Sequence, residues 1–261
     1  MLDQLGVFER IKDRCFTTTH RVFKNDKDET LRKTLVSHED LYGYRNHRIW
    51  RKLLLDEMKK MLDERSVVIN YDSRFDGIIK DTSDGVSFRV NGEERHASML
   101  IGSDGIYSSV RQYVAPNVTP EYTGTIGILS HIKRNSVAWP YEDYERNATI
   151  QGAPGAIFFI PEDPAAVDIM IGTQVQYPEQ SQGDLARLQA DQDRLLQFYT
   201  MRYNEHGPTA RSIIDQVSQA RQNLLSWPYL RMPRLPRWYS QTGRVVIVGD
   251  GAHALPPSSG K

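Results

Sequence analysis

"RVVIVGDGAHALPPSSG" occupies positions 244–260, and its reading decides the fold. Val245, Val246, Ile247 and Val248 form an unbroken apolar run. Such runs mark strands buried on both faces of a parallel sheet. The run leads directly into Gly249, Asp250 and Gly251. In open α/β sheets, ligands sit at the carboxyl ends of the strands. A carboxylate there can accept hydrogen bonds from sugar hydroxyls, and a neighbouring glycine lets backbone N–H groups approach a phosphate closely.

The stretch has a counterpart at 98–111, "SMLIGSDGIYSSVR". Met99, Leu100 and Ile101 run into Gly102, and Asp104-Gly105 follow. Either pair alone is accounted for by a tight turn leaving a strand. The same device used twice, each time with its own tail (108–111 and 252–260), is not accounted for by turns alone.

Working outward, "RIWRKLLLDEMKKMLDER" at 48–65 predicts an amphipathic helix, with Leu54, Met58, Met61 and Leu62 on one face. "MLDQLGVFERIKDR" predicts a short one through Leu2, Leu5, Phe8 and Ile11. "HRVFK" and "RKTLVS" carry weak strand character. Between 66 and 105, strands are split by Asp-Gly and Asn-Gly hairpin signals. From 116 to about 177 the pattern is β-rich: "GTIGILSHI", "ATIQG", "GAIFFIP", "AVDIMIGTQV". "DLARLQADQDRLLQFYTMRYNEHG" predicts a second long helix, while "HGPTAR" and the proline-rich "SWPYLRMPRLPRWYS" read as connectors. Phe158, Phe159, Trp139 and Tyr141 are expected core aromatics of the β-rich part. The order implies an α/β domain with a mostly β segment inserted before its last strand.

Composition bounds the function. Thirty-three basic residues balance 33 acidic ones in 261, so nothing points to nucleic acid or an anionic membrane. Cys15 is the single cysteine, which excludes an intramolecular disulfide and a cysteine zinc site and reads as a core residue. No apolar run reaches the length of a membrane span, and the first residues lack a signal-peptide layout. A soluble, cytoplasmic protein is expected, with oligomeric state left open.

"IGSDGIYSSVR" resembles the Asp-Gly motif, and "VVIVGDGAHALPPSSG" the Gly-Asp motif, of FAD-dependent monooxygenases of the para-hydroxybenzoate hydroxylase type. "IWRKLLLDEM" is similar to the helix that follows that family's Arg-x-x-Leu signature, and the style is that of fungal secondary-metabolism members. The resemblance covers nearly the whole chain. It implies a partial FAD-binding, doubly wound (Rossmann-like) domain over 1–115, a β-rich substrate domain over 116–240, and a return to the FAD domain over 241–261. The family pattern also has a first strand with G-x-G-x-x-G and a C-terminal helix; neither occurs in these 261 residues, so a chain lacking both ends of the pattern is expected.

Carried over, Asp250 holds ribityl or ribose hydroxyls of FAD, with Gly249 allowing close approach and Gly251 in the same cofactor-binding turn. Pro256 and Ser258-Ser259-Gly260 border the flavin ring. Asp104 and Gly105 lie near the pyrophosphate, and Arg51 approaches it from its helix, with Arg48 the rival. Arg111 either stabilises the loop after Asp104 or is exposed, and His253 is structural. No metal site and no particular catalytic side chain is implied, because the cofactor carries the hard step. The implied activity is hydroxylation or epoxidation of a small organic substrate with NAD(P)H and O2. The alternatives are a flavin oxidoreductase without oxygen insertion and a non-catalytic remnant.

Overall fold

The computed structural model describes residues 2–257. The chain divides into two compact units, Met1–Val68 with Ile126–Trp227, and Ile69–Thr125 with Pro228–Lys261.

In the first unit, helix α1 (Val7–Ile11) buries Val7 and Ile11 against Met61, Leu54 and Met58. Those three lie on the apolar face of the next long helix, as their spacing predicts. Cys15 completes this cluster, its thiol hydrogen-bonded to the Ile11 carbonyl. Strands β1 (Phe16–Thr18), β2 (His20–Asn25) and β3 (Thr30–Leu35) follow, then a single turn α2 (Glu39–Tyr42), β4 (Asn46–Arg48) and the long helix α3 (Arg51–Glu64).

The second unit begins with β5 (Phe75–Asp81), β6 (Val86–Val90), β7 (Glu93–Ala97), β8 (Leu100–Gly102) and α4 (Ser109–Val114). The Asn-Gly signal makes a two-residue hairpin between β6 and β7: Asn91 and Gly92 both have positive φ, 52° and 80°. Asp76-Gly77 is no turn. It lies inside β5, where the register with β6 shifts around Gly77.

The chain continues through β9 (Glu121–Lys133), β10 (Ala148–Gly152), β11 (Gly155–Pro161) and β12 (Asp168–Gln176). Where one long helix is expected there are two, α5 (Gln182–Ala190) and α6 (Gln192–Thr200). Asp191 leaves helical geometry between them and caps α6 by accepting from the Arg194 N–H at 2.9 Å. "HGPTAR" is no connector, because Pro208 opens helix α7 (Pro208–Gln219), which buries Ile213, Ile214 and Val217. The proline-rich segment likewise starts as a strand, β13 (Leu225–Arg231). β13 is tolerated with Pro228 because it is an edge strand. β14 (Val245–Ile247) and the four-residue helix α8 (Asp250–His253) close the fold.

The large sheet has the order β13-β9-β12-β11-β10-β2-β3. β2 runs parallel to β10, whereas β10, β11 and β12 pair antiparallel. The sheet therefore recruits residues 20–35 through the pairing of β2 with β10 and β3. Sheet pairing is non-local, so chain order does not set it. Phe159 is fully buried, Trp139 stacks on Tyr144 with centroids 5.0 Å apart, and Tyr141 is exposed.

Candidate functional site

β8 and β14 pair in parallel, Leu100 opposite Val245, Ile101 opposite Val246 and Gly102 opposite Ile247. The ladder continues as the Val248 N–H donates to the Gly102 carbonyl at 2.9 Å. The two aspartate turns thus leave the same end of one small sheet. Its inner face packs on α4: Val245 and Ile247 share a core with Val110, Val114 and Ala252. The other face is open, with Ile101 60% exposed and Met99 47%. The apolar runs promised burial on both faces, but only one face is covered among the described residues.

The turns touch. A Cβ on Gly251 would lie 3.3 Å from the Ser108 Cβ and 3.4 Å from the Gly105 carbonyl oxygen. Arg111, 2% exposed, ties the two together, donating to the Ile106 carbonyl at 2.7 Å and to the Gly251 carbonyl at 3.3 Å. Of the two expectations for this residue, the loop-stabilising one is met.

The two carboxylates are used differently. Asp104 turns inward and accepts from the Ser108 hydroxyl and from the N–H groups of Ser109 at 2.7 Å and Val110 at 3.2 Å, capping α4. Partial burial works to raise its pKa, but these hydrogen bonds prevail and hold it below the ordinary 3.8. Asp250 is exposed, and its carboxylate has no hydrogen-bond partner among the described residues. Gly249 before it has φ 60° and ψ −142°, a conformation essentially restricted to glycine. Cβ positions built on Gly249 and on Gly105 (φ 79°) meet no protein atom within 4 Å, so both backbones face open space. Pro256 is half-buried, and Ser258-Ser259-Gly260 lie outside the described residues. His253 stacks on Trp238 with centroids 5.2 Å apart. No group of three or more potential metal ligands occurs among the described residues.

The arginine pair belongs to the first unit. Arg48 ends β4 and is committed to the buried Glu162 carboxylate and to the Met170 sulfur. Arg51 is the first residue of α3, exposed and without a hydrogen-bond or ion-pair partner among the described residues.

Within the second unit these groups suit a dinucleotide: an unpartnered carboxylate that can accept from vicinal hydroxyls, and two glycines open to solvent where a phosphate can approach the backbone. A family model described as "FAD binding domain" matches residues 1–261. The chain belongs to the FAD binding domain family. Within this FAD-binding family, 6-methylsalicylate 1-monooxygenase atA of Aspergillus terreus is 27% identical over 222 residues, 81% of this chain and 47% of that protein. FAD-dependent monooxygenase nodY1 of Hypoxylon pulicicidum is 25% identical over 221 residues, 77% of this chain and 48% of that protein. The chain spans about half the length of these curated relatives. Klebsiella pneumoniae HpxO complexed with FAD and uric acid superposes with a TM-score of 0.75 at 18% identity, covering 99% of this chain and 63% of that one. That likeness establishes the α/β fold of this FAD-binding family.

The site residues missed by sequence reasoning are Ser108 and, in its bridging role, Arg111. Their signal was present in "SSVR", a serine positioned to cap a helix and an arginine three residues on, inside its first turn.

Proposed function

We propose that the chain is the FAD-holding part of a monooxygenase that hydroxylates or epoxidises a small organic substrate in secondary metabolism, with NAD(P)H and O2 as co-substrates. The observation that carries the reading is the parallel pairing of β8 with β14, which sets an occupied aspartate, Asp104, beside an unoccupied one, Asp250. The fungal relatives named for FAD-dependent monooxygenation support the reaction class.

In this reading Asp250 accepts hydrogen bonds from cofactor hydroxyls. Gly249 and Gly105 keep side chains out of the cofactor's path, Gly251 lets the two turns close on each other beside it, and Pro256 borders the flavin ring. Arg51 supplies positive charge to the pyrophosphate. Asp104 acts indirectly, by fixing the loop that presents Gly105. FAD, when bound, supplies the redox chemistry that draws on NAD(P)H and activates oxygen. The roles divide as 1–115 and 241–261 for the cofactor and 116–240 for the substrate. Among the described residues no helix is long and apolar enough to cross a membrane. We place the protein in the cytoplasm, where NAD(P)H is supplied.

The test is a flavin titration of Asp250→Ala alongside a thermal melt. Loss of hydrogen bonds to a charged group predicts about 1.5–3 kcal/mol weaker FAD binding. An aspartate serving only the turn would lower the melting temperature and leave flavin affinity unchanged, and that result would sink the assignment.

A further inference from the structure

The unit that carries the large sheet has a cleft of about 490 Å3 that the flavin reading does not use. Trp50 and His131 line it and stack on each other, centroids 4.9 Å apart with planes at 35°. The His131 Nε2 lies 3.5 Å from the buried Glu162 carboxylate, which also holds Arg48. The buried Glu162 carboxylate thus sits behind the aromatic pair at the cleft wall.

The same cleft is lined by Gln216, Gln219, Gln222 and Asn223. None of these four carboxamides has a hydrogen-bond partner among the described residues. Each offers one donor edge and one acceptor edge. Charge is absent from the offer, because the Lys133 ammonium is paired with Asp168 at 2.6 Å. An aromatic pair of this kind stacks flat rings. A glutamine or asparagine amide pairs bidentately with adjacent donor and acceptor atoms, as on the edge of adenine.

We propose that this cleft binds a flat, uncharged nitrogen heterocycle with adjacent donor and acceptor atoms, of the adenine type. The ring stacks on Trp50 and His131 and pairs with the carboxamides at the C-terminal end of α7 and in the turn just after it. The ring can arrive as a free nucleoside or within a nucleotide. The shared chemistry is the ring, because the lining's ammonium and carboxylate, Lys133 and Asp168, pair with each other and leave the cleft close to neutral toward a phosphate.

The experiment is saturation-transfer NMR on the 261-residue protein without added flavin, using adenosine, AMP and uridine as probes. Adenosine and AMP should bind within about twofold of each other, and uridine, with its smaller ring and different edge, more weakly. Trp50→Leu should weaken adenosine binding at least about fivefold, in line with the loss of one stacked ring. Gln219→Leu changes an exposed helical position, leaves the fold intact, and should also weaken it. Asp250→Ala should leave adenosine binding unchanged, which separates this site from the flavin reading. The proposal is overturned by absence of transfer at millimolar adenosine, by equal binding of uridine, by AMP binding far tighter than adenosine, or by indifference to both Trp50→Leu and Gln219→Leu.

Discussion

Asp104 and Asp250 are the same residue type in the same kind of turn, yet one is consumed by its own backbone and the other is left for a ligand. Asp104→Ala removes the carboxylate that accepts from the Ser109 and Val110 N–H groups, leaving Ser108 as the N-cap of α4, and should cost about 1–2 kcal/mol, read in a denaturant melt. Its pKa is depressed in the fold, so its contribution is present above the unfolded value near 3.8 and fades as pH falls through the lower folded value. The difference in stability between wild type and Asp104→Ala should therefore shrink below about pH 4. Arg111→Met should cost about 1.5–3 kcal/mol, because it deletes charged hydrogen bonds to the carbonyls of both turns. For the arginine pair, Arg48→Ala should lower the melting temperature by stranding Glu162. Arg51→Ala should leave the melt unchanged and weaken flavin binding in a titration; the reverse pattern would exchange the two roles. Both aspartates were legible as candidates, since each follows an apolar run and a glycine. Which of them is spent internally was not legible. That depends on whether the carboxylate reaches back to N–H groups of the following helix, and only Asp104 has Ser108 and α4 placed to receive it.

At the scale of elements, the contact between α4 and β8 is close enough to demand glycine. A Cβ on Gly102 would fall 2.5 Å from the Val110 Cβ, so Gly102→Ala should destabilise the second unit by about 1–3 kcal/mol of overpacking in a urea titration. Helix α3, the β6–β7 hairpin and the two aspartate strands could be read from pattern, because periodicity and Asn-Gly act locally. The break at Asp191 could not: aspartate is allowed inside a helix, and the apolar spacing runs on through Leu195 and Tyr199, both buried. β13 was hidden by Pro228, since the exclusion of proline from strands lapses at an edge. β2 and β3 were legible as weak strands, but their place in the large sheet was hidden by distance, since β2 finds its partner β10 more than a hundred residues along the chain.

For the whole molecule, the one cysteine becomes a reporter. Burial pushes the Cys15 thiol above its ordinary range, and its cluster joins α1 to α3. A thiol reagent at neutral pH should label it only as the first unit unfolds, and labelling at the rate of a free thiol would show that this cluster opens readily. A formal net charge of zero, with an isoelectric point near 7.1, also means that one added negative charge is easy to see by isoelectric focusing. The β6–β7 turn is where such a charge would be expected with age. Asn-Gly pairs deamidate when the glycine nitrogen attacks the asparagine side-chain carbonyl, turning a neutral amide into an acid. Here the Gly92 N–H is held by the Asp76 carboxylate at 2.7 Å, and the Asn91 amide is tethered to the Asp72 carbonyl and the Arg74 N–H. The hairpin should therefore age slowly in the folded protein. Asp76→Ala should release the nucleophile and bring forward the acidic band on storage, setting the protein's shelf life by a contact that contributes little to its stability.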